Sequence, residues 1–499
     1  MAAARKVYRK CRRRLTPICA FLLLIELAWA LVGVAQQPPP PPAAQKPEST
    51  QTPPAPTQTE PETRISSKEA EELFQQVDEI LKFASDDTGL PIKKEVKRRL
   101  TSRAEVEAYL QKNMVEDKDA QRLSRSQAVL KKFGLLPRDF DLQTFLVALL
   151  KEQVAGYYDP RTKTVNLLDW VGIEQQKPVM AHELTHALQD QSFGLEKWMR
   201  QGDVDLATKK DITSEDIEGD ENATARQAVI EGQAMVTLVD YMLAPTGQSI
   251  KDSPQIVDAL KQGMLNGTPD SVEFHKAPIF LKEALTFPYR YGLDFETALL
   301  VKGGKTLAFY QTLISPPHNS RQIMEPQTYL AGEKIPSMAM PDFRKDLANY
   351  ERFDVGAMGE FDVAVLIDQY AGEEVSHQLY PDWRGGYYYA ARPKGNPSSP
   401  LGLLYVSRWA TPETAARFAA IYAKALPTRY QQVTEQGSDP VKPADAGPPK
   451  SLVGKYLWTT EEGTVEINVQ GDMVFISESL DDGSTRMLEK DALKASSAK

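Results

Sequence analysis

At 499 residues, with 41% apolar and 25% charged side chains, the chain has the length for two or three domains and the ordinary balance of a globular protein. Its formal net charge of −9 becomes −15 once the first 35 residues are set aside, because seven Lys and Arg but a single acid lie there. A body that acidic excludes nucleic acid and anionic membrane as its main partner.

Those 35 residues place Arg5, Lys6, Arg9, Lys10, Arg12, Arg13 and Arg14 ahead of an apolar run from Ile18 to Ala35 that only Glu26 interrupts. This is the pattern of an export leader. Gly33 and Ala35 suit cleavage before Gln36, while a run of 18 residues also reaches the lower limit for spanning a bilayer. Segment 1–35 is therefore read as a signal peptide or a signal anchor. The remainder is expected outside the cytoplasm: periplasmic, secreted, or held at a membrane by its N-terminus. Both cysteines, Cys11 and Cys19, lie in the leader, so the exported part has no disulfide and depends on its core.

From Gln36 to Thr63 there are 10 prolines in 28 residues and no aromatic side chain, which predicts an extended spacer with nothing to bury. An ordered domain is predicted over 64–345. Ser66 and Glu69 have capping-box spacing ahead of an apolar stripe at Leu73, Val77, Ile80, Leu81 and Ala84, the signature of an amphipathic helix. Helical patterns follow at 103–112, 117–133 and 140–153. Residues 154–158 and 163–168 then flank Asp159-Pro160-Arg161-Thr162 as a β-hairpin. The next helix is predicted to start at Pro178 and to stop at Gly194. Residues 203–221, with eight acids and two lysines, read as a solvated loop or mobile flap. Helices are predicted again at 223–242, 277–287, 289–301 and 304–314, before Pro316-Pro317-His318 opens a loop.

Past residue 350 the pattern changes. Strand-like runs at Gly386–Ala391 and Leu401–Trp409, and a helix from Thr411 to Leu426, predict a small α+β module over 346–436. A second linker, 437–450, has four prolines. It leads to 451–499, where Thr464–Val469 and Met473–Ser477 flank Gln470-Gly471-Asp472 as a terminal β-hairpin. The fold class that emerges is α+β, mainly helical in its larger domain.

The chemistry concentrates in His182-Glu183-Leu184-Thr185-His186. Side chains four apart stand on one helix face, so the two imidazoles project together while Glu183 sits about 100° round the turn. Such a pair can chelate one zinc ion, and the carboxylate can reach its water. Catalytic zinc generally takes three protein ligands, so a partner is needed. Glu231, in Val229-Ile230-Glu231-Gly232-Gln233-Ala234, is the candidate. Glu218, Glu221 and Asp240 are rivals, and His275, His318 and His377 are further ones.

With Glu231, the pentapeptide resembles the gluzincin metallopeptidases, which include thermolysin and the zinc aminopeptidases. In those families a second helix presents Glu as third ligand, often followed by Gly and a small residue, as Gly232 and Ala234 follow here. Pro288-Tyr289-Arg290-Tyr291-Gly292 is similar to the Tyr-x-x-Gly segment of the aminopeptidases, whose tyrosine supports the oxyanion of the tetrahedral intermediate. The resemblance implies a mainly helical zincin-like domain that holds one Zn2+ on His182, His186 and Glu231. It implies Glu183 as general base and then acid, Tyr289 as oxyanion donor, and a peptide or protein substrate.

Two departures qualify it. The spacing of 45 positions from His186 to Glu231 exceeds the usual one, and the acidic segment accounts for the excess. The aminopeptidases' Gly-Ala-Met-Glu-Asn segment is missing, which favours an endopeptidase. In gluzincins the hairpin before the motif helix supplies an edge strand for an extended substrate, here residues 156–158 or 164–167. Asp190, one turn past His186, would orient an imidazole. Two other functions fit the same residues: a zinc hydrolase of non-peptide substrates, and a cell-envelope scaffold with a vestigial site. The intact Glu183 argues against the scaffold, since a structural site needs no base.

Overall fold

The capping box at Ser66 and Glu69 opens the first element of the structure, a computed structural model that describes residues 65–114, 117–153, 156–201, 205–267, 271–436 and 451–494. Ser66 Oγ accepts from Glu69 N and Glu69 Oε2 accepts from Ser66 N, starting helix α1 (Ser67–Thr88). Its apolar stripe, Leu73, Val77, Ile80 and Leu81, packs on Met180, Leu184 and Leu188 of the helix that carries the metal motif. The leader, the spacer 36–63 and the linker 437–450 lie outside the described residues. Among those described, no helix is long and apolar enough to cross a membrane.

Strand β1 (Lys97–Thr101), which the sequence pattern did not indicate, is followed by helices α2 (Arg103–Met114), α3 (Asp117–Phe133) and α4 (Leu142–Gln153) where the apolar periodicity places them. The hairpin is present as β2 (Tyr157–Asp159) and β3 (Thr164–Leu168), antiparallel, with Lys163 at positive φ in the turn. Strand β1 pairs parallel with the other side of β3, so the order is β1-β3-β2 and β2 is an edge. That placement excludes 164–167 as the substrate-facing strand, because β3 is paired on both sides.

The motif helix α5 (Ile173–Phe193) begins five residues before Pro178 and ends, as expected, at Gly194 in the left-handed region with φ 67°. Proline removes one backbone bond there. Gln176 steadies that first turn: its Nε2 donates to Leu168 O and Val171 O while its Oε1 accepts from Leu168 N, at 2.7–2.9 Å.

The acidic segment departs from the expected solvated flap. Leu206–Thr208 is a 3₁₀ turn, and Thr213 and Asp216 make a capping box that starts α6 (Ser214–Leu243) nine residues ahead of the predicted 223. Glu215 and Glu218 are exposed and Asp216 and Asp220 half-buried along its first turns, while Ile217 and Glu221 are buried. Composition hid the helix because acids dominate its first turns, and acids there also suit the helix dipole.

Residues 277–287 and 289–301 likewise form one helix, α7 (Ile279–Lys305), which runs through Pro288. The burial of Phe287 against Phe361, with ring centroids 4.4 Å apart, favours continuing the helix at a position where proline alone would end it. Gly304, at φ 68°, breaks the helix, and the continuation is a π-helical turn, Thr306–Gln311.

The remaining strands all join one antiparallel sheet: β4 (Tyr350–Ala357), β5 (Trp383–Pro393), β6 (Gly402–Trp409), β7 (Val433–Glu435), β8 (Gly454–Thr460), β9 (Gly463–Gln470) and β10 (Met473–Glu478), in the order β4-β5-β6-β10-β9-β8-β7. Alternation along β5 decides its faces. Tyr387 and Tyr389 pack with Leu488 of the last helix, α9 (Asp482–Lys494), while Tyr388 and Ala390 face α8 (Pro412–Arg429) and the helical part. The architecture is α+β, with the mainly helical part carrying the motif.

Candidate metal centre

Helix α5 presents His182 and His186 on one face, and α6 brings Glu231 across to them. His182 Nε2 lies 3.2 Å from Glu231 Oε2, His186 Nε2 lies 3.4 Å from the same oxygen, and the two imidazole nitrogens are 3.0 Å apart. An ion about 2.0–2.1 Å from each of three tetrahedrally placed donors needs those donors about 3.3 Å apart. The triangle fits. All three side chains are buried, and they form a group that could hold a metal ion.

Two glycines bring Glu231 into place. Gly232, the next residue, packs directly on the backbone of Gly292 in α7, and Gly292 in turn packs on the carbonyl of Ala228. A side chain at either position would collide with main-chain atoms, so the helices touch only because both residues lack one. The same contact delivers Tyr289, three residues before Gly292. It is almost fully buried, and its ring stacks beside that of His182 with centroids 6.3 Å apart and planes at 27°.

Glu183 stands apart from the triangle on the other side of the turn, buried, with Oε2 accepting the N–H of Tyr158 at 2.7 Å. Edge strand β2 therefore faces the centre. Burial pushes the Glu183 carboxyl up to about 7, with the charge of His186 opposing. Burial likewise drives His182 down to about 4. For His186 burial works the same way but is outweighed by the charge and hydrogen bond of Glu231, by Glu183 and by Gln189, which lift it to about 9. Glu231 is held at about 2, since His186 and His182 overcome its desolvation. A cation entering between these donors therefore displaces a proton from His186.

The other candidates are not brought to the centre. Glu221 accepts from Ser320 N and Oγ, Asp240 from Ile250 N, and Glu218 is exposed with Ser337 as partner. His275, His318 and His377 are exposed, and among the described residues none joins a metal-binding group. Asp190 does not orient an imidazole. Its carboxylate accepts from Tyr158 Oη at 2.7 Å, Lys163 Nζ at 2.5 Å and Leu195 N at 2.9 Å, tying the hairpin to the end of α5. The imidazole partner is instead Gln189, whose Oε1 lies 2.9 Å from His186 Nδ1. Sequence reasoning passed over it, although a lone amide three residues past the second histidine, beside Ala187 and Leu188, was the available signal.

No family model matches this chain, and no curated protein matches it. Among solved structures, a Chloroflexus aurantiacus protein described as a “putative hydrolase with a novel fold” aligns at 14% identity and a TM-score of 0.35, covering 62% of this chain and 98% of that one. A likeness at that level carries no argument about fold or activity.

Proposed function

We propose that the protein is a zinc-dependent hydrolase of gluzincin type that cleaves peptide bonds, most naturally as an endopeptidase. The observation that carries this reading is the buried triangle of His182, His186 and Glu231, with separations suited to a tetrahedral ion and Glu183 about 100° round the same turn as His182. Two nitrogens and one carboxylate are a donor set of catalytic zinc, and three protein ligands leave a fourth position open. When bound, the ion would lower the pKa of a water toward about 7 and polarise a carbonyl.

The chain's own residues supply the rest. Glu183, raised toward neutrality and steadied by the Tyr158 N–H, takes a proton from the attacking water and later passes it to the leaving amine. Tyr289, beside His182, donates its phenolic hydrogen where negative charge develops. An extended substrate lies along β2, whose open edge turns Tyr158 N–H toward the centre. Export through the 1–35 leader, with the spacer holding the enzyme off a membrane or freed from it, completes the proposal.

The test is to measure zinc per chain and cleavage of an unstructured protein for wild type and Glu183→Gln. One zinc in both, with cleavage reduced about 10²–10⁴-fold in the variant, is the expected result. Failure of the wild type to take up zinc, or equal cleavage by both, overturns it. A panel of esters and amides distinguishes a non-peptide substrate.

A further inference from the structure

The hydrogen bonds of His186 continue well beyond the metal centre. From Nδ1 they pass to Gln189 Oε1 at 2.9 Å, and from Gln189 Nε2 to Gln233 Oε1 at 2.8 Å and Ile230 O at 3.1 Å. Gln233 Nε2 then donates to Ala308 O at 2.8 Å and Thr312 Oγ1 at 2.9 Å, and Thr312 Oγ1 donates to Ala308 O at 2.6 Å. Gln189, Gln233 and Thr312 are wholly buried. The chain of bonds reaches Ala308, inside the π-helical turn Thr306–Gln311, a kind of turn frequent at functional sites, with the buried Glu296 carboxyl beside Gln233 and Thr312.

The direction of this chain is settled from its far end. A carbonyl oxygen can only accept, so Ala308 O must face the NH₂ of Gln233. That leaves the Gln233 oxygen for the NH₂ of Gln189, whose second hydrogen meets Ile230 O. The Gln189 oxygen is then the atom that faces His186. An acceptor opposite Nδ1 requires the hydrogen on Nδ1, which frees the Nε2 lone pair, and Nε2 is the nitrogen turned to Glu231 and His182. With either amide reversed, two acceptors or two donors would meet in a buried space, an arrangement that costs about 1–3 kcal/mol for each unmade bond.

We propose that Gln189 and Gln233 are positioning residues of the metal centre: a two-amide relay, anchored on the π-helical turn at Ala308, that holds His186 in the Nδ1–H tautomer with Nε2 aimed at the metal. It rests on the metal-binding reading above. Neither amide touches substrate. The relay also makes the centre asymmetric, because His182 Nδ1 has no hydrogen-bond partner among the described residues. The ring of His182 is instead held by packing beside Tyr289.

The tautomer can be read directly. Two-bond ¹H–¹⁵N correlation spectra of histidine-labelled full chain, assigned with a His186→Gln variant, should show His186 with its hydrogen on Nδ1 in the zinc-loaded protein, and on Nδ1 in the neutral ring of the metal-free chain once the pH is high enough to remove that ring's second proton. A neutral His186 ring with its hydrogen on Nε2, or ligation through Nδ1, overturns the relay without any relay variant having to fold. Zinc competition against a chromophoric chelator supplies the second arm. Gln189→Met and Gln233→Met, similar in volume but unable to bond, should weaken zinc binding, the former about 10–100-fold. Affinities within twofold of wild type in both Met variants, with an unchanged cobalt absorption spectrum, refute the proposal. If the wild type itself binds no zinc, the metal reading fails, and the nitrogen that keeps its hydrogen when metal-free His186 is titrated to its neutral form still decides whether the relay exists.

Discussion

Gly232→Ala is the most informative single perturbation of this fold, because it adds one carbon at the place where α6 and α7 touch beside Glu231, the proposed third ligand. A Cβ there would stand 2.8 Å from Gly292 Cα and closer still to the carbonyl carbon and oxygen of that residue. Restoring an ordinary separation of about 3.5–4.0 Å parts the helices by about 1 Å. Both sides of the contact are main chain, so no side chain can swing away. Overpacking of this kind costs about 1–3 kcal/mol, offset by up to about 1 kcal/mol from the better helix propensity of Ala. A net loss of about 1–2 kcal/mol follows, with a fall in Tm of about 2–4 °C per kcal/mol in a domain of this size. Zinc should respond more sharply. Glu231 is the adjacent residue, and a displacement of about 1 Å exceeds the roughly 0.5 Å that a preorganised site tolerates. Affinity is therefore expected to drop tenfold or more, equivalent to about 1.4 kcal/mol. Thermal melting of the metal-free chain and chelator competition of the loaded one measure the two effects separately. A variant as stable as wild type with the same zinc affinity would mean that the glycine contact does not position Glu231. Gly292→Ala, whose Cβ would meet Ala228 O, should behave alike.

Three further outcomes are expected. Tyr289→Phe should lower kcat about 10²–10³-fold and leave KM and zinc content nearly unchanged, as loss of an oxyanion donor does; unaltered kcat would reduce the ring to packing beside His182. Glu478, fully buried on β10, accepts from Arg429 Nη2 and Tyr422 Oη at 2.7 Å and from Tyr430 Oη. Lys132 of α3 lies 3.9 Å away, so the cluster joins the sheet to the helical part. Glu478→Leu leaves those cations without their carboxylate and should cost about 3–5 kcal/mol, read from the urea midpoint; a loss below about 1 kcal/mol would show that the cluster is not a joint. Glu296, fully buried on α7, is held well above the usual carboxylate range by desolvation. Its folded-state pKa is raised, so its contribution to stability is complete below the unfolded value of 4.5 and is lost as pH rises above it toward the folded value. Glu296→Gln should accordingly be more stable than wild type at pH 8 but not at pH 4; equal stability difference at both would show that Glu296 is charged when folded.

Local spacing made half of the candidate site readable without coordinates. The 3.6-residue period puts His182 and His186 on one face whatever surrounds them, and the same kind of short-range rule covers the capping box at Ser66, the helix start at Thr411, the stop at Gly194 and both hairpins. Short-range rules failed where burial outweighed them. Pro178 and Pro288 lie inside helices, and the acids of 214–221 lie on one, because neighbours elsewhere in the chain cover the opposite face.

The sequence by itself determined which residue types could grip a metal and that two of them would stand together. Only the tertiary structure decided that Glu231, 45 residues on, closes the triangle, and that Gln189 rather than Asp190 faces the imidazole. It also decided that strands on both sides of the 437–450 linker share one sheet. The physical reason is that helical and strand periods dictate how a segment presents its own side chains. What those side chains meet depends on close contacts such as Gly232 against Gly292, which have no period and exist only once distant helices have packed.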